Sequence, residues 1–245
     1  MSKLYRIKSS LAKKLKKIPI VYDIGHYIML TKEKNKTEKL RKSFKKHGIE
    51  GIRDVQKAME KTEFDFFFSC GTLLGIIRES GVIEHDVDLD LAIMENPNFS
   101  WDKLDRIMST IDFKPFRSFL IDNKVEEKTY IRNGLQIDIY IEEIVDEDYM
   151  RAPFFYRRNH INYKERWEHS VAYMYDRLTK NIIKKQIYDF EVNIPENYEE
   201  ILYGNYGSDW RIPQVDNDIW AAPNLRLCDN LRGYRVNHYE GEKYE

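Results

Sequence analysis

The chain has 245 residues, of which 42% are hydrophobic and 33% charged, with 11 Gly, 7 Pro and a net charge of −1. This length allows a core that buries about 70–75% of the unfolded surface, and the composition excludes disordered, collagenous and repeat proteins. The near-neutral charge disfavours a dedicated nucleic-acid binder. Two cysteines, Cys70 and Cys228, exclude a disulfide scaffold and indicate a reducing compartment, and no Cys/His set suits structural zinc.

The first 46 residues are strongly basic. They carry 15 Lys and Arg against 3 Asp and Glu. Apolar residues such as Leu4, Ile7 and Leu11 recur at helical spacing between these charges, which predicts a basic amphipathic helix. The apolar stretch 18–30 is shorter than the about 20 residues of a membrane span, and its flanks disfavour a signal peptide. Two interpretations stay open: a helix on an anionic membrane surface, and a solvated helix packed on the domain.

Helices and strands alternate in the rest of the sequence. A helical stripe runs over 40–59, with Gly48 and Gly51 as expected breaks between two helices. The predicted strands cover residues 64–69, 87–93 and 135–141, and the predicted helices cover residues 73–79, 101–111 (capped near Ser100), 162–185 and 198–203. We therefore predict an α+β fold with helical N-terminal and C-terminal extensions. The predicted segments are a basic segment 1–46, a catalytic domain 47–215 and an extension 216–245.

Carboxylates mark the two alternating strands. Alternate side chains of a strand share a face, so Asp86, Asp88 and Asp90 lie together, opposite an apolar face. Asp138 stands on the polar face of the second strand beside Gln136. If the two strands are neighbours, Asp88, Asp90 and Asp138 converge.

Converging carboxylates need a cation. Ionised carboxylates a few ångströms apart repel by about 4 kcal/mol per close pair at an effective dielectric near 20. No Lys or Arg lies between Glu79 and Lys103. Hard oxygen ligands indicate Mg²⁺ or Mn²⁺. A structural calcium loop and a strand that turns a polar face to water are the alternatives, and Asp138 on a second strand weakens the latter.

A glycine-containing turn precedes the first carboxylate strand. Gly71 and Thr72 follow the 64–69 strand at the start of a helix, where backbone N–H groups bind phosphate oxygens. Gly71 allows close approach of a ligand, Thr72 adds a hydroxyl, and Arg78 has a planar guanidinium suited to phosphate. Such a turn is common on its own, and it becomes specific only in combination with the carboxylate strand.

This combination resembles the LicD family, which includes fukutin and fukutin-related protein, within the nucleotidyltransferase-fold superfamily. The resembling segments are Ser69–Arg78, Gly81–Leu91, Gln136–Ile139, Ile194-Pro195 and Ile201–Pro213, in the family's order over roughly residues 50–215. The sequence departs from the family pattern at three positions: Cys70, often Gly in the family; His85, commonly Trp; and Val87, usually Asp. These departures leave the substrate class open.

The resemblance implies a nucleotidyltransferase-like mixed sheet flanked by helices. It also implies transfer of a substituted phosphate, such as phosphocholine or a phospho-polyol, from a CDP-linked alcohol donor to a sugar hydroxyl of a glycan or lipid-linked acceptor. Asp88 and Asp90 would be catalytic metal ligands, and Asp138 would be the third carboxylate, as a metal ligand or as the base. Gly71, Thr72 and Arg78 would bind donor phosphate, and Arg211 beside Trp210 would reach a base and a phosphate.

Other functions stay open at this point. A nucleotidyltransferase that uses an NTP and releases pyrophosphate would need the same carboxylates. A glycosyltransferase with an Asp-x-Asp motif would not call for the Gly71 turn or for Asp138. A non-catalytic membrane-associated partner in glycan assembly is the alternative from a different class. The expected location is the cytoplasm, with peripheral contact at the inner face of the cell membrane, and no nucleic acid is expected as a partner.

Overall fold

The computed structural model describes residues 19–156, 167–214 and 219–238. The chain divides into two compact units, residues 1–39 and residues 40–245. In the first unit the described residues are helical from Pro19 onward. In the second unit helices accompany a mixed sheet, which confirms the predicted α+β class. The amphipathic pattern around Leu4, Ile7 and Leu11 lies outside the described residues.

The helices and strands have the following bounds. The helices are α1 (Pro19–Met59), α2 (Cys70–Arg78), α3 (Trp101–Ser109) and α4 (Tyr198–Tyr206). The strands are β1 (Phe66–Phe68), β2 (Asp88–Met94), β3 (Lys114–Ile121), β4 (Lys124–Arg132), β5 (Leu135–Ile144), β6 (Tyr149–Tyr156), β7 (Trp167–Arg177), β8 (Ile182–Ile187), β9 (Phe190–Pro195) and β10 (Leu225–Asn237). No helix in these ranges is both long enough and apolar enough to cross a membrane.

One large sheet organises the second unit. Within the described chain its strand order is β1-β2-β5-β4-β3-β10-β7-β6. The pairing of β2 with β5 is parallel, and the other pairings are antiparallel. The end of β5 also pairs with β6, through Glu143 with Arg151 and Ile144 with Met150. This last pairing makes the sheet barrel-like, whereas β8 and β9 form a separate hairpin.

The apolar faces of β2 and β5 lie in the core. Leu89, Leu91 and Ile93 of β2 are fully buried, as are Ile137 and Ile139 of β5. The predicted alternation of these two strands is therefore confirmed, and with it the placement of the aspartates on the opposite face. Removing these side chains from water stabilises the fold by roughly 25 cal/mol per Å² of apolar surface. A shift of either strand by one residue would expose them, so their burial fixes the register of the strands that carry the site.

The two glycines of α1 do not break the helix, contrary to the prediction. Helix α1 continues through both of them to Met59. A Cβ atom at Gly51 would lie 2.5 Å from Leu135 Cδ2, and one at Gly48 would lie 3.3 Å from Val82 Cγ1. Close packing therefore accounts for glycine at these positions. Glycine lowers helix stability by about 1 kcal/mol per residue relative to alanine, and α1 nevertheless continues through both.

Two helix predictions late in the chain, over 162–185 and in the extension 216–245, are also wrong, whereas the helix predicted over 198–203 is confirmed as part of α4. Over 162–185, the described residues form strands β7 and β8, and residues 162–166 lie outside the described ranges. Val171 and Ala172 are neighbours in sequence and both fully buried, because β7 is covered on both faces. A strand covered on both faces loses its alternation, so its pattern resembles that of a helix. The described part of the extension, residues 219–238, contains strand β10, which pairs with β3 and β7, and one turn of 3₁₀ helix, Ile219–Ala221.

Candidate active site

A cavity of about 460 Å³ adjoins the polar faces of β2 and β5. Cys70, Gly71 and Arg78 of α2 line it, together with Asp90 of β2 and Asp138 of β5. The structure thus brings the start of α2 and two of the three predicted catalytic aspartates to one cavity. Asp86, which is not among the predicted metal ligands, also lines it.

Asp90 and Asp138 face each other across the parallel strand pair. They are direct Cα partners in the register of β2 with β5. Asp88 is the partner of Gln136 in the same register, and it does not line the cavity. The register follows from burial, since a slip by one residue would turn Leu89 and Ile137 to the polar side.

Burial and mutual repulsion disfavour ionisation of these carboxyl groups. The pKa of Asp90 is raised well above its usual range by burial and then by the charges of Asp88, Asp86 and Asp138. Burial, followed by Asp138 and Asp86, raises the pKa of Asp88 in the same way. The pKa of Asp138 is raised by burial and lowered by Arg117. Ionised together, these carboxylates would carry a negative charge that a bound cation would stabilise.

The donor set fits a hard divalent cation that shares its coordination with a substrate. Asp138 Oδ1 is buried and has no hydrogen-bond partner among the residues that the structure describes. No group of three or more Asp, Glu, His or Cys side chains within the described ranges is already arranged to hold a metal ion. Magnesium is usually bound by one or two carboxylates plus substrate phosphates and water, so an incomplete protein site is compatible with it. The assignment of Asp88, Asp90 and Asp138 as ligands stays a prediction.

The start of α2 lies against this carboxylate group. Helix α2 begins at Cys70, so Gly71 and Thr72 lie in its first turn, and the side chain of Ser69 makes no capping hydrogen bond there. A Cβ atom at Gly71 would lie 2.5 Å from Asp86 Oδ2, so any other residue would require the Asp86 side chain or the start of α2 to shift. Thr72 is buried, and its hydroxyl accepts a hydrogen bond from the Asp90 N–H at 2.8 Å. Thr72 therefore ties α2 to β2, and its role toward phosphate stays a prediction.

The backbone at Cys70 accounts for the glycine that is often found at this position in the family. Cys70 has a φ of 45°, in the left-handed region that favours glycine. Its thiol lies 3.4 Å from the hydroxyl of Tyr140, and burial raises the pKa of the thiol well above its usual range. A thiol that resists ionisation is a poor nucleophile, which indicates a structural role for Cys70.

The two predicted phosphate-binding arginines occupy different places. Arg78 lines the cavity, and its guanidinium donates to Glu79 Oε1 at 2.9 Å. Arg211 instead lines a second cleft beside the first, pairs with Glu199 and stacks 4.1 Å from the centre of the Trp210 ring. Trp210 lines both clefts. The structure therefore places Arg78 near the aspartates and does not bring Arg211 to them.

Sequence reasoning missed two charged residues of the site. Glu127 of β4 lines the cavity, and burial and then Asp138 raise its pKa well above the usual range. Arg117 of β3 is the cation that lowers the pKa of Glu127, Asp88 and Asp138. Neither lies in a recognisable motif, and only the pairing of β3, β4 and β5 brings them to the aspartates.

A second group of missed residues could have been found in part. Glu142 lies on the same face of β5 as Asp138, four residues further along, so the alternation rule predicts it. Asp176 and Asn205 line the same cavity from β7 and α4. Residues 162–185 have the sequence pattern of a helix. Because this prediction was wrong, Asp176 of β7 was not recognised as a site residue.

Comparisons with known proteins place the chain in a family. The family described as "LicD/FKTN/FKRP, nucleotidyltransferase domain" matches residues 63–197, more than half of the chain. The chain is similar to ribitol-5-phosphate transferase FKTN of Mus musculus, at 24% identity over 187 residues that cover 74% of this chain and 36% of that relative. It thus spans about a third of the relative's length. The resemblance read from the motifs is confirmed: the chain belongs to the LicD family.

Proposed function

We propose that the protein is a metal-dependent phosphotransferase that moves a substituted phosphate, of the phosphocholine or phospho-polyol type, from a CDP-linked donor to a sugar hydroxyl. The observation that carries the proposal is the pairing of Asp90 with Asp138 in a cavity that the start of α2 also lines. Family membership and the similarity to a ribitol-5-phosphate transferase support a transferase of this kind. The parallel β2–β5 pair, with α2 packed against β2, supports a nucleotidyltransferase-like fold.

The carboxylates would hold the metal. Asp88 and Asp90 of β2 would bind Mg²⁺ or Mn²⁺, which supplies charge neutralisation on the phosphate oxygens, and Asp138 of β5 would be the third carboxylate, as a metal ligand or as the base. The N–H groups at the start of α2, left open by Gly71, would receive oxygens of the donor diphosphate. Arg78, at the edge of the same cavity, would pair with a further phosphate oxygen.

The proposed transfer forms one P–O bond and breaks another. The acceptor hydroxyl oxygen attacks the phosphorus that carries the alcohol, and a new P–O bond forms. The bond from that phosphorus to the oxygen shared with the α-phosphate breaks, and its electron pair leaves with CMP. As the base rather than as a metal ligand, Asp138 takes the hydroxyl proton on Oδ1, which has no hydrogen-bond partner among the described residues.

We further propose that the enzyme works in the cytoplasm at the inner face of the cell membrane. The excess of Lys and Arg in residues 1–46 supports an electrostatic contact with anionic lipid. Sedimentation of the full chain with vesicles of phosphatidylglycerol, but not of phosphatidylcholine, is the expected result. Equal sedimentation with both lipids would contradict an electrostatic contact.

A product assay tests the proposed reaction. The full chain is incubated with Mg²⁺, a glycan acceptor fraction and one of CDP-ribitol, CDP-glycerol, CDP-choline or CTP. Release of CMP that needs Mg²⁺ and one CDP-alcohol supports phosphotransfer. Release of pyrophosphate from CTP instead would identify a nucleotidyltransferase and reject the proposal.

A further inference from the structure

A second group of buried polar side chains lines the cavity, separate from the residues assigned to the metal. Glu142 of β5 is 1% exposed, Asn205 of α4 is 3% exposed and Asp176 of β7 is 5% exposed, and all three line the cavity. Side chains this polar are rarely buried unless their hydrogen bonds are made.

Two of their atoms have no partner. Glu142 Oε2 and Asn205 Nδ2 are buried and make no hydrogen bond with the part of the chain that the structure describes. Asn224 Nδ2 donates to Asn205 Oδ1 at 2.6 Å and to Asp176 Oδ1 at 2.9 Å, and with these bonds Asn205 Nδ2 is the amide atom that keeps no partner. Buried polar atoms are usually hydrogen-bonded, so the acceptor on Glu142 and the donor on Asn205 remain available to a ligand.

Glu142 and Asn205 thus present an unpartnered acceptor and an unpartnered donor among the residues that line one cavity. A hydroxyl group can donate to Glu142 Oε2 and accept from Asn205 Nδ2, and vicinal hydroxyls can do both at once. We propose that Glu142 and Asn205 form a subsite for the hydroxyl groups of a polyol or sugar, with Asp176 and Asn224 holding Asn205 in place. This inference rests on the proposed function, since it names the part of that enzyme's cavity that binds the alcohol or the sugar.

Other ligands fit the same atoms less well. A quaternary ammonium has no N–H group, so it would leave Glu142 Oε2 without a hydrogen bond, and Asn205 Nδ2 would point a donor at a cation. A phosphate would place negative charge beside Glu142 and Asp176. Both alternatives leave a buried polar atom unsatisfied or bring like charges together.

Hydroxyl groups could come from the transferred alcohol or from the acceptor sugar, and binding measurements distinguish these sources. The full chain with Mg²⁺ is titrated calorimetrically with CDP-ribitol, CDP-choline and CDP. For a donor-side subsite we expect the wild type to bind CDP-ribitol at least tenfold more tightly than CDP. We expect Glu142→Gln and Asn205→Ala each to reduce that preference by about tenfold, or about 1.4 kcal/mol, without changing the affinity for CDP.

The acceptor side is tested by saturation-transfer NMR with a panel of methyl glycosides. If the hydroxyls belong to the acceptor sugar, Glu142→Gln and Asn205→Ala leave the preference for CDP-ribitol over CDP unchanged. Both variants then lose saturation transfer to a methyl glycoside that the wild type binds. Glu143→Gln is the matched control, because Glu143 is the next residue of β5 and its side chain is 49% exposed and pairs with Arg151. This control should behave as wild type in both measurements.

The outcomes separate the inference from the proposed function. Unchanged polyol preference together with unchanged glycoside contact in both variants would overturn the subsite. A preference for CDP-choline that both variants abolish would also overturn it, in favour of a cation site. If no CDP compound binds but saturation transfer from the protein to free ribitol or to a glycoside depends on Glu142 and Asn205, the subsite stands and the proposed function fails.

Discussion

Asp90 is the direct partner of Asp138 in the parallel pairing of β2 with β5, so two acidic residues occupy one position of the register. Like charges directly opposite each other destabilise a sheet. The pairing is nevertheless fixed, because Leu89, Leu91, Ile137 and Ile139 are buried on the other face and the Asp90 N–H donates to Thr72 Oγ1. The fold therefore keeps a local repulsion that hydrophobic burial elsewhere offsets.

Asp90→Asn should separate stability from activity. Neutralising Asp90 removes a buried charge from beside Asp88 and Asp138, so the metal-free variant should be more stable than wild type by about 1–3 kcal/mol. Turnover should fall at least a hundredfold, because a metal ligand is lost. Urea unfolding without Mg²⁺ and a CMP-release assay with Mg²⁺ measure the two effects. Asp122→Asn, in the exposed turn between β3 and β4, is the matched control, and retained turnover in Asp90→Asn would reject the metal assignment.

Gly71→Ala should disturb the site through one identifiable clash. The new Cβ would lie 2.5 Å from Asp86 Oδ2, so either the side chain of Asp86 or the first turn of α2 must shift. We expect a loss of about 1–3 kcal/mol of stability and weaker binding of a CDP-alcohol. The double variant Gly71→Ala, Asp86→Ala removes the clashing carboxylate and should recover stability relative to the sum of the single changes. Strict additivity in that cycle would show that Asp86 is not the cause.

The part of the site that could be predicted from the sequence is the part encoded by local alternation. Asp88, Asp90 and Asp138 follow from the period of two on β2 and β5, because each strand has one apolar face. Glu127 could not be predicted, since its place beside Asp138 depends on the β4–β5 pairing, which no local pattern specifies. Asp176 could not be predicted because β7 was not recognised as a strand. Both faces of β7 are covered, so its sequence lacks the alternation that marks a strand with one exposed face.

Arg117→Gln should destabilise the protein in a pH-dependent way. Arg117 lowers the pKa of Asp88, Asp138 and Glu127, so its removal raises those pKa values further. A raised folded-state carboxyl pKa lowers stability as pH rises, and the loss disappears at acidic pH where the groups are protonated in both states. Chemical unfolding should show a loss of about 2–3 kcal/mol at pH 8 and much less at pH 4. Arg106→Gln, on the exposed side of α3, is the control, and an equal loss at both pH values for Arg117→Gln would contradict the explanation.

The carboxyl group of Asp176 should make stability depend on pH in the range below neutrality. Burial raises its pKa to about 7, against a hydrogen bond from Asn224 that lowers it. The folded protein therefore holds a proton that the unfolded chain releases near pH 4, so wild-type stability falls as pH rises from about 4 to about 7 and then levels off.

Asp176→Asn keeps an oxygen that can accept from Asn224 and has no proton to lose. Relative to wild type the variant should gain stability as pH rises from about 4 to about 7. The gain should reach at most roughly 4 kcal/mol, at about 1.4 kcal/mol per pKa unit. It also relieves Glu142, whose pKa is raised by burial and then by Asp176. Urea unfolding at pH 4, 5, 6, 7 and 8 measures the difference, with Asp122→Asn expected to follow the wild type. Parallel stability curves for Asp176→Asn and wild type would mean that Asp176 is already ionised in the folded protein at pH 4.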